Sequence, residues 1–243
     1  MRRMSVPLDE MLAASEKVAE GDYSIRVEEK GWPETRALVH GFNAMVEKLQ
    51  ASDRQRRAML ADVTHELRTP LTVIRGNVEG MLDGLYPADE ERFKSILEET
   101  QLLSRLVDDL RTLALAESGT LQVKREPTDL ADLIRETVTG FGSRAEAGSV
   151  KLETSLAEAP PVEVDPVRVR EVLQNLIANA LRYSPVGGTI RVRYDGLSVA
   201  VEDDGPGIPP ADLLHVFERF YKSSDSGGMG LGLAIAKVLV EAH

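Results

Sequence analysis

In the segment ERFKSILEETQLLSRLVDDLRTLALAES, Ile96, Leu103 and Leu110 recur every seven residues, and so do Leu106 and Leu113. A seven-residue apolar repeat keeps one stripe of a helix facing a partner along its whole length, which points to a helical bundle or coiled coil. Upstream, ASDRQRRAMLADVTHEL carries helical character that persists to about Leu82. GLYPADE then interrupts it, with Gly84 and Pro87 as the breakers. Two long helices and a short turn make an antiparallel hairpin over residues 51–118, and two hairpins make a four-helix bundle.

The flanks read differently. LDEMLAASEKVAE has apolar residues at helical spacing and stops at Gly21-Asp22, and YSIRVEEKGWPE is a polar connector broken by Gly31 and Pro33. ETRALVHGFNAMVEKLQ resumes a helix with Leu38, Phe42, Met45 and Leu49 on one stripe. The two narrow apolar faces of this helix pair, residues 1–50, cannot be buried alone, so pairing with a second copy is expected. After Gly119 the texture changes. LQVKREPTDL, VKLETSL, TIRVRYDG and LSVAVEDDG alternate like strands, whereas DLADLIRETVTGF, PVRVREVLQNLIANALRY and GLAIAKVLVEA read as helices. Mixed order without strict βαβ alternation favours an α+β sandwich over residues 119–243.

Charge and composition exclude several classes. A net charge of −11 argues against sequence-independent binding to nucleic acid. The absence of cysteine removes disulfides, thiolate zinc sites and cysteine nucleophiles. The four histidines are too dispersed for a histidine-rich metal site. No apolar run reaches the roughly 18 residues of a membrane span, and the N-terminus lacks a signal-peptide core, so the chain as it stands is expected to be soluble.

Four stretches carry chemistry. In THELRTPL, His65, Arg68 and Thr69 share a helical face, Glu66 lies about 100° around it, and Pro70 predicts a bend just beyond. A neutral imidazole is a nucleophile, and an adjacent carboxylate can accept its other N–H proton. An exposed helical histidine with no such role gives the same pair. In NLIANALRY, Asn175 and Asn179 are one turn apart, as paired surface amides or as oxygen ligands that join phosphates around Mg²⁺. DDGPGIP offers a carboxylate and glycines for close backbone approach, or simply a turn. In GGMGLGLAIAK, Gly228, Gly230 and Gly232 open a helix and can wrap backbone N–H groups around phosphates; the spacing matches neither a Walker loop nor a dinucleotide fingerprint. FERFY reads as a small apolar anchor for that loop.

Taken in order, THELRTPL, NLIANALRY, DDGPGIP, FERFY and GGMGLGLAIAK resemble the H, N, G1, F and G2 boxes of the sensor histidine kinases of bacterial two-component systems. PLDEMLAASEKVAEGDY with ETRALVHGFNAMVEKL is similar to a HAMP signal-relay domain, its Gly21-x-Tyr23-x-x-x-Val27 spacing matching a connector whose two apolar side chains pack on the bundle. The resemblance covers nearly the whole chain. It implies a HAMP-like unit (1–50), a dimerisation and histidine-phosphotransfer hairpin (51–118) and an ATP-binding α+β sandwich shared with gyrase-type ATPases (119–243).

The same resemblance implies roles. His65 is the phosphoacceptor, Glu66 the base that assists its attack on the γ-phosphate of ATP, and Thr69 the residue that positions water when the partner is dephosphorylated. Asn179 ligates Mg²⁺ with Asn175 in support; Arg182 lies near the phosphates and Tyr183 packs on the nucleotide. Asp203 reads the adenine amino group, Gly205 and Gly207 admit the backbone, and Gly228, Gly230 and Gly232 shape the lid. The implied protein is a homodimeric kinase that passes phosphate to an aspartate of a cognate response regulator and also acts as its phosphatase. A catalytically impaired dimeric scaffold is the alternative, and a gyrase-like ATPase would leave THELRTPL unused. Relatives place a membrane span before the HAMP unit and two further strands after VLVEAH, so an inner-membrane parent and a C-terminally truncated ATP domain are expected.

Overall fold

The structure, a computed structural model, describes residues 5–30, 32–222 and 229–243. It divides into two compact units, residues 1–68 and 69–243.

In the first unit, α1 (Ser5–Ala19) and the beginning of α2 (Pro33–Leu82) enclose a small core of Ala14, Val27, Val39, Phe42 and Val46, with Met11, Val18, Tyr23 and Ile25 around it. Tyr23 and Val27 of the connector therefore pack as their spacing implies. Within this unit Val39 and Val46 are fully buried with Phe42, while Leu38, Met45 and Leu49 of the expected stripe face outward. The β-branched valines fit close to the connector backbone, leaving the longer side chains as a second apolar stripe. Trp32, near the end of the connector, is 68% exposed.

The connector has no strand partner. Asn43 supplies one: its Nδ2 donates to the Val27 carbonyl (2.8 Å) and its Oδ1 accepts from the Val27 N–H (3.0 Å). One amide thus satisfies both backbone groups of a buried residue. Asn43→Ala is expected to lower stability by about 1–3 kcal/mol, read as an earlier urea transition of this unit; an unchanged midpoint would show that water replaces the amide at no cost.

Helix α2 is 50 residues long, about 75 Å at 1.5 Å per residue. Its interior proline, Pro70, is buried, and the helix runs through it without interruption. Pro70 has no N–H, so the Glu66 carbonyl lacks its donor four residues on.

In the second unit, the turn after α2 closes tightly. Gly84 adopts φ +71°, and the Leu85 and Tyr86 N–H groups both donate to the Gly80 carbonyl. The Tyr86 ring occupies the space that a Cβ at Gly80 would need. The Arg92 guanidinium lies 4.4 Å from the ring centroid and donates to Asn77 Oδ1 (3.1 Å), while Asp89 caps α3 (Glu90–Glu117) through the Arg92 N–H. On α3, Leu106 and Leu113 are fully buried, whereas Ile96, Leu103 and Leu110 are half-buried.

The α/β part follows as β1 (Glu126–Thr128), α4 (Leu130–Thr139), α5 (Gly142–Ala147), β2 (Lys151–Leu156), β3 (Val162–Val164), α6 (Pro166–Tyr183), β4 (Thr189–Tyr194), β5 (Val199–Glu202) and α7 (Gly232–Ala242). Strands β1 and β3 form an antiparallel pair; β2, β4 and β5 form a mixed sheet with β4 central, parallel to β2 and antiparallel to β5. Val192 and Tyr194 of β4 meet Ile134 and Val138 of α4, Phe141, and Leu173 and Ile177 of α6 in one core. The expected sandwich of helices on a mixed sheet is thus what forms, and α7 packs between α6 and α3.

Candidate functional site

Helix α6 is fixed at its start. Asp165 Oδ1 accepts from the Val167 and Arg168 N–H groups and its Oδ2 from the Lys124 N–H, with Pro166 at the first helical position. Burial opposes ionisation of Asp165, but these backbone donors outweigh it and hold the carboxyl below its ordinary range. One face of α6 then carries Asn175 and Asn179, both half-buried, toward α7.

The start of α7 faces them. A Cβ at Gly232 would lie 3.3 Å from Asn175 Oδ1, so the glycine brings the helix start against that amide. Asp89, Asp129 and Asp165 cap α3, α4 and α6 with side-chain oxygens, whereas the α7 N-cap, Leu231, makes no side-chain cap bond. The first N–H groups of a helix have no partner within it and carry the positive end of its dipole, so this start suits an anion. The pair of amides and the uncapped helix start fit phosphates with a metal shared among them. Among the described residues no three His, Cys, Asp or Glu side chains converge on a common point.

The loop after β5 closes the far end of α6. Gly205 donates its N–H to Asp203 Oδ1 (2.9 Å), and a Cβ on it would meet the Tyr183 carbonyl at 2.9 Å. Only glycine lets the loop lie on Tyr183, which remains partly exposed beside it. Asp203 is exposed, and Gly207, at φ +73°, is open to its surroundings. Sequence reasoning passed over Asp204. It accepts from the Thr189 N–H and from Arg191 (3.0 Å each), and the Arg191 contact, then the Thr189 N–H, hold its carboxyl below the ordinary range. The two aspartates of DDG thus divide: Asp204 ties the loop to β4, and Asp203 is left facing out.

The segment before the lid is built on close contacts. Phe220 has φ +58°, in the left-handed region that disfavours a bulky residue. Gly230, at φ +68°, lies directly on it: a Cβ there would sit 2.7 Å from the Tyr221 carbonyl oxygen and 2.8 Å from the Phe220 carbonyl carbon. His215 stacks on Tyr221 (5.7 Å between centroids), and Lys237 of α7 lies 5.9 Å from the Phe217 ring. Gly228 lies outside the described residues.

Arg182 follows Asn175 by seven residues, two turns along α6. With Arg144, Phe141, Gly148, Ala178 and Leu181 it lines a shallow cavity of about 260 Å³ between α6 and α5. His65, Glu66 and Thr69 sit together on α2, with His65 and Thr69 exposed and Glu66 half-buried. The structure therefore brings Asn175 and Gly232 together at the start of α7, with Asn179 one turn further along α6, and Tyr183, Asp203 and Gly205 together at the end of α6.

Family models match three successive stretches of the chain. The HAMP domain model matches residues 1–51, the His Kinase A (phospho-acceptor) domain residues 55–119, and the histidine kinase-, DNA gyrase B- and HSP90-like ATPase residues 164–243. The chain is 34% identical over 251 residues to the signal transduction histidine-protein kinase BaeS of Escherichia coli K12, covering all of this chain and 54% of that protein. It is 35% identical to the sensor histidine kinase WalK of Bacillus subtilis over 82% of this chain and 35% of that one. The chain thus spans about half or less of the length of these relatives. Among solved structures, the Acinetobacter baumannii histidine kinase AdeS aligns at 36% identity over 73% of this chain and 86% of that chain, with a TM-score of 0.63. The histidine kinase ThkA, in complex with the response regulator protein TrrA, aligns at 26% identity over 80% and 59%, with a TM-score of 0.59. A phosphoacceptor-type hairpin, an uncapped helix start beside two amides and these likenesses lead to one assignment: the chain belongs to the sensor histidine kinases of bacterial two-component systems.

Proposed function

We propose that this chain is the signal-relay and catalytic portion of an ATP-dependent kinase that phosphorylates its own His65 and passes the phosphoryl group to an aspartate of a response regulator. The observation that carries the nucleotide half is the uncapped start of α7 against Asn175, bordered by the glycine-permitted approaches at Gly205 and Gly230. The histidine half rests on the exposure of His65 on a long helix, with Glu66 as its neighbour in sequence.

In this reading one ring nitrogen of His65 attacks the γ-phosphorus of ATP as the bond to the bridging β-phosphate oxygen breaks and ADP leaves, and the Glu66 carboxylate accepts the proton of the other ring nitrogen. Bound Mg²⁺ would supply neutralisation of the charge on the phosphate oxygens. Asn179, with Asn175, holds that ion; the α7 N–H groups and Arg182 bind phosphate; Tyr183 packs on the base and Asp203 accepts from its amino group. Thr69 positions water for phosphatase action on the regulator. Residues 1–50, 51–118 and 119–243 act as relay, dimerisation and catalytic parts.

The outward stripe Leu38, Met45 and Leu49 and the exposed Leu71, Val78, Phe93, Leu97 and Val107 of the hairpin support a homodimer, because neither helix pair covers them. No described helix is long and apolar enough to cross a membrane; anchoring through a preceding segment, as a portion of an inner-membrane sensor, belongs to this reading. The response regulator in complex with ThkA supports such a partner here.

The test is incubation of the purified chain with γ-labelled ATP. Protein-bound label that is acid-labile, alkali-stable and dependent on Mg²⁺ is expected. ATP binding without any label would make the chain a nucleotide-responsive scaffold.

A further inference from the structure

The contact between α3 and the α/β part carries an arrangement that phosphoryl transfer does not call for. Leu106, Thr112 and Leu113 of α3 are buried where the helix meets α7, whose own Ile235 and Leu239 are fully buried. At one end of this contact Arg219, just before the lid, pairs with Glu117, the last residue of α3. Toward the other end Asp109 of α3 is half-buried with no hydrogen bond or ion pair among the described residues.

The charges around Asp109 offer it little. Glu171 of α6 faces it and is already paired with Arg168 at 2.8 Å. Asp108 adds a second like charge from its own helix. Arg105, the one cation acting on it, donates to the Gln101 carbonyl of its own helix. Lys237 and Glu241 of α7 pair with each other at 3.9 Å.

We propose that Arg219 and Asp109 are positioning residues with opposite effects: the Arg219–Glu117 pair holds the ATP-binding part against α3, and Asp109 facing Glu171 loosens that hold. The proposal rests on the kinase reading, in which the ATP-binding part reaches His65 for one step and makes way for the response regulator in the next. A contact held at one end and opposed at the other is one that can be left.

The sign of the pH dependence follows. Burial first, then Glu171 and Asp108, push the Asp109 carboxyl up to about 6 in the docked arrangement. Released into water it returns toward the ordinary carboxylate value. A group whose docked pKa is raised stabilises docking when protonated, so docking is firm in acid and weakens as pH rises toward and through about 6. Unscreened, a docked value of about 6 gives a fall of about tenfold between pH 5 and pH 7.5; with the solvent that screens a half-exposed group, the docking equilibrium is expected to fall about threefold to fivefold.

The chain has no cysteine, so spin labels can be placed at will. With Glu98→Cys on α3 and Glu163→Cys on β3, both exposed, and dilution into unlabelled chain, pulsed electron resonance reads the distance within one protomer without nucleotide. A narrow distribution at pH 5 that broadens by pH 7.5 is expected. Asp109→Asn should stay narrow at both values, with ATP affinity unchanged. Arg219→Gln should be broad at both, and exchanging the charges (Arg219→Glu with Glu117→Arg) should narrow it again. A pH response that survives in Asp109→Asn, or an Arg219→Gln distribution like that of wild type, overturns the proposal. These distances need no turnover, so they stand or fall apart from whether His65 accepts phosphate.

Discussion

Replacing His65 by alanine is expected to lower phosphoryl incorporation from γ-labelled ATP by more than about a thousandfold, because no other group then presents the nucleophile. The substitution is a clean one. His65 is exposed, and alanine is the best helix former at an exposed helical position. Stability should therefore hold within about half a kcal/mol, as for surface changes in general. ATP affinity should also hold, since the amides and glycines that would bind the nucleotide belong to α6, α7 and their loops. The measurement is a time course of acid-labile label beside a nucleotide titration on the same preparation. Label persisting in the variant at a comparable rate would assign the phosphoacceptor elsewhere.

The second large effect is expected from Gly230→Ala. Two costs act together. An L-residue at φ +68° bears roughly 1–2 kcal/mol of backbone strain. The added methyl would also press on Tyr221 and Phe220 at 2.7 and 2.8 Å, and both contacts are backbone atoms that cannot rotate away. Phe220 is itself left-handed, so the segment has little freedom to yield. If about 3 kcal/mol of this falls on the nucleotide-competent arrangement, ATP affinity drops on the order of a hundredfold. Gly187→Ala separates the two costs, since Gly187 has φ +82° but open space around it, in the turn between α6 and β4. A fluorescent ATP analogue titrated against both variants decides the matter. Equal, small losses would mean that the Phe220–Gly230 contact does not shape the site.

The parts of this fold that were legible in the sequence are those where one apolar face meets one core. Helices α4, α6 and α7 and strands β2, β4 and β5 each repeat their apolar residues at the period of the element that forms, and the buried Ile190, Val192 and Tyr194 follow directly from that alternation. Strand β3 was missed because three residues, Val162–Val164, following two prolines are too short for a period to register. Helix α5 was missed for a like reason, as six residues bounded by Gly142 and Gly148 read as a loop. On α2 the period was legible but a second face was not: Val39 and Val46 turn toward the connector, while Leu38 and Met45 face outward. A stripe two residues wide gives no signal for which of its edges meets the connector.

Within the site, residue identities were readable and contacts were not. The Gly232 approach to Asn175 joins positions 57 residues apart, and the Asp204 bonds to Thr189 and Arg191 depend on how β5 pairs with β4. Arg182 shows the limit most plainly. Its place in the motif says that it is near phosphate, but its side chain shares a cavity with Arg144 and Phe141, from a helix that the sequence did not announce.

One carbonyl in the interior of α2 gives the long helix a mechanical character. Springs joined in series share a load equally but divide the displacement by their softness. A 50-residue helix is such a series of hydrogen-bonded turns, and the rung that Pro70 removes from above Glu66 is a soft link. Any twist or pull applied along α2 is therefore spent disproportionately there. That link adjoins His65, so the residue proposed to accept phosphate sits where a strain imposed far along the helix would be taken up.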